Sequence, residues 1–219
     1  MPTSTVEDYL KCIYLESRRE PSERVSTGRI AAALHVAPGT VTAMMKTLTE
    51  SGLVGYEPYA GVRLTDAGRR LAAHVLRRHR LVELFLVRIM GMGWSEVHEE
   101  AEVLEHAVSE RLIERIDEML GRPAADPHGD PIPTAGGEVD EPDLPSLLTC
   151  EIGRPLTVAR VTDQRAEFLQ LLERHGLMPG RRVRVDSRDE LAETVVVRPE
   201  GGPPLQLGFP AASRIGVRP

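Results

Sequence analysis

Residues 95–108, SEVHEEAEVLEHAV, carry five glutamates and two histidines in fourteen positions, with no Lys or Arg. Like charges four apart on a helix repel, so this concentration needs a reason. Helix electrostatics supply part of one. Ser95 reads as an N-cap, and Glu96, Glu99 and Glu100 fall in the first turns, where carboxylates complement the helix dipole. Glu102 and Glu105 lie beyond the dipole's reach. At about 100° per residue, His98, Glu102, Glu105 and His106 share one arc about 100° wide. Val97, Ala101, Leu104 and Val108 form an apolar stripe beside it. Carboxylates and neutral imidazoles converging next to a low-dielectric core call for a cation between them.

Other segments offer ligands of the same kind. In RRHRLVELFL, His79 and Glu83 stand at i and i+4, and the first helix offers Asp8. Together these residues make one or two sites of nitrogen and oxygen ligands without a thiolate. Oxygen-rich octahedral sites suit Mn²⁺, whereas raw affinity favours Zn²⁺ and Cu²⁺, so coordination number and geometry must select the metal. Cys12, four residues from Asp8, reads as a small buried thiol. His128 lies in a Pro-rich stretch with a structural role. His35, His74 and His175 have no partner cluster, and Trp94 packs at a helix start.

The elements that must position these groups are legible. An amphipathic helix spans about Val6–Ser17. Ser26 caps a second helix with Ile30, Ala33 and Leu34 at helical spacing. HVAPG is a tight turn, and the next helix buries Val41, Met44, Met45 and Leu48 before ending at Gly52. That is a helix-turn-helix. GLVGYEPYAGVRLT then alternates as two short strands joined around Ala60–Gly61, a wing, and Thr65 caps the succeeding helix. Pro38, Gly39, Thr40, Thr42, Ala43 and Lys46, with Thr27, face outward for DNA. Small residues permit close approach to base edges, and Lys46 reaches phosphate. Residues 121–147 hold six prolines and read as a linker. Beyond them LTVARV, RRVRVDS and ETVVVRP alternate as strands, interrupted by a helix in DQRAEFLQLLERHG.

The expected fold is mainly α with a small β domain: a winged helix-turn-helix over 1–74, a helical dimerisation and metal-binding domain over 75–146, and an SH3-like β-barrel over 147–219. The net charge of −6 is unevenly spread. Residues 1–80 hold twelve Lys+Arg and eight Asp+Glu (+4), and the remaining 139 hold fifteen and twenty-five (−10). This asymmetry points to a basic head that meets phosphate and an acidic body with another task. Two cysteines without a CxxC, no signal peptide and no long apolar run point to a reduced cytoplasmic protein without membrane association. A di-iron bundle enzyme would need E-x-x-H motifs on two helices. None occurs, so no enzyme is expected.

VEDYLKCIYLES, the helix-turn-helix, RRHRLVELFL, VHEEAEVLEH and DPHGDPIP, in this order, resemble the diphtheria-toxin-repressor family of metal-dependent transcriptional regulators. LLERHGLMPGRRV is similar to the iron-uptake-type module of its longer members. The resemblance implies a repressor that binds operator DNA as a homodimer and controls metal-ion homeostasis genes. It implies one site at His79, Glu83 and His98, completed from the third domain by Gln164 and Glu167, and a second at Asp8, Glu102, Glu105 and His106. Asp8 and Glu102 stand where iron-responsive members carry Met and Cys, which resembles the manganese-responsive branch. Mn(II) is therefore the expected cofactor, with Fe(II), Co(II) or Zn(II) as alternatives. An Fe(II)-responsive regulator, or a winged-helix regulator sensing a non-metal ligand, is the competing reading. Lys11 stands where short manganese regulators carry Glu, so their closely bridged metal pair is not implied.

Overall fold

The computed structural model describes residues 3–18, 22 and 24–219. The chain divides into two compact units, one of residues 1–79 with 133–139, the other of residues 80–132 with 140–219.

The first unit opens with α1 (Ser4–Ser17), α2 (Thr27–Ala33) and α3 (Pro38–Glu50). Ser26 caps α2 as expected, its side chain accepting from Arg29 N. His35 turns the chain between α2 and α3 with φ 53°, a left-handed conformation that stops α2. Val41, Met45 and Leu48 of α3 are buried together with Leu10, Ile13 and Ile30. The wing is β1 (Val54–Glu57) paired antiparallel with β2 (Gly61–Leu64). Val25 adds a bridge to Val62, exchanging backbone hydrogen bonds of 2.9 and 2.8 Å. Thr65 caps α4 (Asp66–Arg88) by accepting from Gly68 N at 3.1 Å, and its hydroxyl donates to Gly52 O at 2.8 Å. Gly68 is required there, because a Cβ would stand 2.0 Å from Leu53 O.

The second unit takes up α4 from Arg80 onward. It adds α5 (Val97–Leu104), α6 (Glu110–Met119) and a five-stranded antiparallel sheet. The strands are β3 (Pro155–Val161), β4 (Arg182–Asp189), β5 (Thr194–Pro199), β6 (Leu205–Gly208) and β7 (Ile215–Arg218), in the order β6-β5-β4-β3-β7. Helices α7 (Ala166–Arg174) and α8 (Phe209–Ala212) complete it. Alternate residues Val183, Val185, Val195 and Val197 fill the sheet core with Leu169, Leu172 and Trp94. A second core of Leu81, Val82, Leu84, Val97, Ala101, Ile113 and Ile116 joins the helices. Among the described residues no helix is long and apolar enough to cross a membrane.

Two expectations change. The acidic helix begins at Val97, with Glu96 rather than Ser95 at its cap, and ends at Leu104. Glu105 is its C-cap and His106 lies in the adjoining turn. Ser109 then caps α6 by accepting from Leu112 N, and this fresh cap explains why one long helix gives way to two. The Pro-rich stretch is no free linker. Asp126 Oδ1 accepts from the backbone N–H groups of His128 (2.8 Å) and Asp130 (2.9 Å). Ala125 bridges Pro131, and Ile132 joins the helical core. The Asp126 carboxylate thus satisfies two loop N–H groups that no helix or strand pairs.

Candidate metal centre and DNA-binding surface

Glu83 and Glu105 are fully buried carboxylates. On the second unit, α4 aims Glu83 at α5, where His98 Nδ1 stands 3.2 Å from Glu83 Oε1. His98 Nε2 lies 3.7 Å from Glu102 Oε1, one turn further along α5. At the end of α5, His106 Nε2 stands 3.4 Å from Glu105 Oε1. His79, buried, precedes Glu83 by one turn on α4, so its ring shares that helix face. Asp8 sits half-buried in the first half of α1, in the other unit.

The donor set fits a divalent cation. Two carboxylates with no exposure, each against an imidazole nitrogen, form a pattern that positive charge stabilises far better than hydrocarbon does. Among the described residues, no cysteine joins a ligand cluster. Cys150 lies in the sheet core, where burial pushes its thiol pKa up, and it donates to Leu147 O. The donors are nitrogen and oxygen alone, which disfavours a soft-metal site.

The third domain behaves differently from expectation. Gln164 does not turn to the imidazoles; its Nε2 donates to Asp130 Oδ2 at 2.9 Å. Glu167 is exposed in the first turn of α7 and joins no ligand cluster among the described residues. The surroundings of His128 also differ from expectation. Glu83, Asp126 and His128 form a wholly buried cluster. Its signal is the Asp-x-His spacing inside DPHGDPIP, which resembles loop chemistry until Glu83 is placed against it.

On the first unit, α3 begins at Pro38 with Ala37 as an N-cap that makes no side-chain bond. Pro38, Gly39, Thr40, Ala43 and Lys46 are exposed, whereas Thr27 and Thr42 are half-buried. The Thr42 hydroxyl donates to Pro38 O at 3.1 Å, leaving its methyl group for apolar contact. An uncapped helix start with small exposed residues can approach a phosphate or a base edge.

Comparison with known proteins decides the family. Residues 1–62 match the iron dependent repressor N-terminal DNA binding domain, residues 65–134 its metal binding and dimerisation domain, and residues 146–219 the FeoA domain. The iron-dependent repressor IdeR of Mycobacterium tuberculosis is 32% identical over 205 residues, covering 88% of each chain. This chain belongs to the iron-dependent repressor family. The family's regulator MntR of Lysinibacillus sphaericus is 38% identical over 120 residues, covering 55% of this chain and 84% of that one. A solved manganese-dependent transcriptional repressor in complex with manganese is 44% identical, covers 97% of this chain and 99% of its own, and superposes with a TM-score of 0.87. ScaR with bound Cd²⁺ is 37% identical over 99% of both chains, with a TM-score of 0.81. This member of the iron-dependent repressor family is thus a metal-dependent transcriptional regulator of the long form, with a FeoA-type third domain.

Proposed function

We propose that the chain is a manganese-activated repressor that binds operator DNA as a homodimer. The observation that carries the manganese reading is the donor set: buried Glu83 and Glu105 against His98 and His106, with Glu102 alongside and no sulfur among these clusters. His79, Glu83 and His98 hold one cation. Glu102, Glu105 and His106, with Asp8 of α1, hold the other. Solved relatives that are named as manganese-dependent support the choice of metal.

A divalent cation supplies the positive charge that turns repulsion among these carboxylates into attraction. Asp8 is carried by α1, which packs in the winged-helix core through Leu10 and Ile13. Pro38, Gly39, Thr40, Thr42 and Lys46, with Thr27, meet DNA. Two recognition helices spaced about 34 Å apart read successive major grooves. The test is operator affinity with Mn²⁺ and with excess chelator. Metal should tighten binding by about tenfold or more, as allosteric coupling of about 1–3 kcal/mol allows. Equal affinity in both conditions would sink the proposal.

A further inference from the structure

Helix α1 carries buried charge as well as apolar residues. Glu7 forms an ion pair with Arg78 of α4, whose Nη2 lies 2.8 Å from Glu7 Oε1. The two side chains are only 9% and 12% exposed, so solvent screens the pair little. At the other end of α1, Glu16 Oε2 accepts from Arg29 Nε of α2 at 3.0 Å, and this arginine is 40% exposed. The Glu7–Arg78 pair is the more buried, and its place in the chain matters. Glu7 immediately precedes Asp8, and Arg78 immediately precedes His79. Both partners thus adjoin a residue that the proposed function makes a metal ligand. All four belong to the same compact unit.

Apolar packing alone does not fix the place of α1 on α4. Leu10 and Ile13 share a core with Ala72 and Leu76, but hydrophobic contact is non-directional. Such a seam tolerates a small slide or roll of α1. A metal ligand tolerates less, since productive geometry is held within about 0.5 Å and 10–20°. The ion pair supplies the missing direction. A guanidinium is a planar fork with fixed donor positions. Consecutive residues on a helix point about 100° apart, so holding Glu7 holds the heading of Asp8. Burial makes the contact hard to break, because either partner alone would leave an uncompensated charge out of water.

We propose that Glu7 and Arg78 are positioning residues that hold Asp8 in register for its cation without touching the metal. The proposal rests on the reading of Asp8 as a ligand. A simple field effect of the two charges makes a different prediction. By charge alone, Glu7→Gln weakens cation binding, whereas Arg78→Gln strengthens it by removing a positive charge nearby. By positioning, both variants weaken it. Lys11, at i+4 from Glu7 and also buried, is unchanged in the Arg78 variant.

Mn²⁺ titration calorimetry on full-length protein separates the outcomes. Wild type should bind at two classes of site, of which Asp8→Asn removes one. Glu7→Gln and Arg78→Gln should each weaken that class by about tenfold or more, the effect of lost outer-shell support on a metal site. The class that survives Asp8→Asn should keep its affinity, because His79, Glu83 and His98 lie on α4 and α5 and need nothing from α1. The reversed pair, Glu7→Arg with Arg78→Glu, should recover most of the loss. Glu16→Gln, which breaks the other ion pair of α1, should leave both classes unchanged. Tighter Mn²⁺ binding in Arg78→Gln would overturn the proposal, as would wild-type affinity in both single variants. Equal weakening of both classes would do so too, since that is loss of fold rather than of position. If the single variants do not fold, the reversed pair decides: folded protein that still lacks the Asp8 class overturns the proposal. Wild type with no class that Asp8→Asn removes would instead strike the ligand assignment of the proposed function, and this inference with it.

Discussion

At the scale of single residues, metal choice is set by donor softness. On the proposed reading, Asp8 and Glu102 offer hard oxygen at positions where the family resemblance implies sulfur in iron-responsive members, and Glu102 stands beside His98. The double variant Asp8→Met with Glu102→Cys keeps both positions but softens the donors and removes two negative charges. Softer donors move preference away from Mn²⁺ and toward Fe²⁺, Co²⁺ and Zn²⁺. The variant should need at least about tenfold more Mn²⁺ for operator binding, an effect the size of a lost ligand contact. Co²⁺, or Fe²⁺ tested anaerobically, should activate at similar or lower concentration than in wild type. The measurement is operator affinity against free metal, with His106→Ala as a control impaired with every metal. A wild-type Mn²⁺ response in the double variant would remove these two positions from selectivity.

At the scale of elements, α4 carries the demand for precision. It starts after the wing and continues past Glu83, so its first turn sets the register of the helix as far as that proposed ligand. Gly68 packs that turn against Leu53, and Thr65 fastens it to Gly52. Gly68→Ala drives a Cβ into a backbone carbonyl that cannot swing aside as a side chain would. It should cost about 2 kcal/mol, as overpacking does, seen as a lower denaturant midpoint in metal-free protein. An unchanged midpoint would mean that the helix start adjusts freely. The existence of α4, with its periodic apolar positions and capping Thr65, is legible in the sequence. The close approach at Gly68 is not, because Leu53 and Gly68 lie on different elements and only packing brings them together.

At the scale of the whole molecule, the exposed apolar surface bears on assembly. Leu112 and Met119 are 48% and 62% exposed. They stand seven residues apart on α6, hence on one face. Large apolar side chains on a helix of the dimerisation domain fit a self-complementary contact. Leu112→Asp with Met119→Asp should give a monomer in sedimentation. Operator affinity should fall by about 100-fold or more, because a dimer gains from engaging two half-sites at once. A double variant that stays dimeric would move the interface elsewhere on the unit.

Local spacing was enough for much of this protein. Val41, Met45 and Leu48 declare the recognition helix, the alternation in RRVRVDS and ETVVVRP declares β4 and β5, and the i,i+4 spacing of His79 and Glu83 places them on one face of α4. Each depends on neighbours within a few positions, where the periods of helix and strand are fixed by backbone geometry. β6 and β7, four residues each, are not read from the sequence, whereas the equally short β1 and β2 are, through the hairpin that joins them. Long-range choices were closed to sequence reading for a different reason. Gln164 bonds Asp130 across 34 positions and His128 reaches Trp94 across the same span, and no local preference encodes such a partner. The break after Leu104 arises because Ser109 offers a new cap, which competes with helix continuation only once α6 has a core to bury. The six prolines promise irregular chain, but burial of His128 and the acceptors of Asp126 make that chain a fixed support. Tertiary packing decides which buried polar groups face one another, because the cost of leaving them unpaired is met only when distant segments supply the partner.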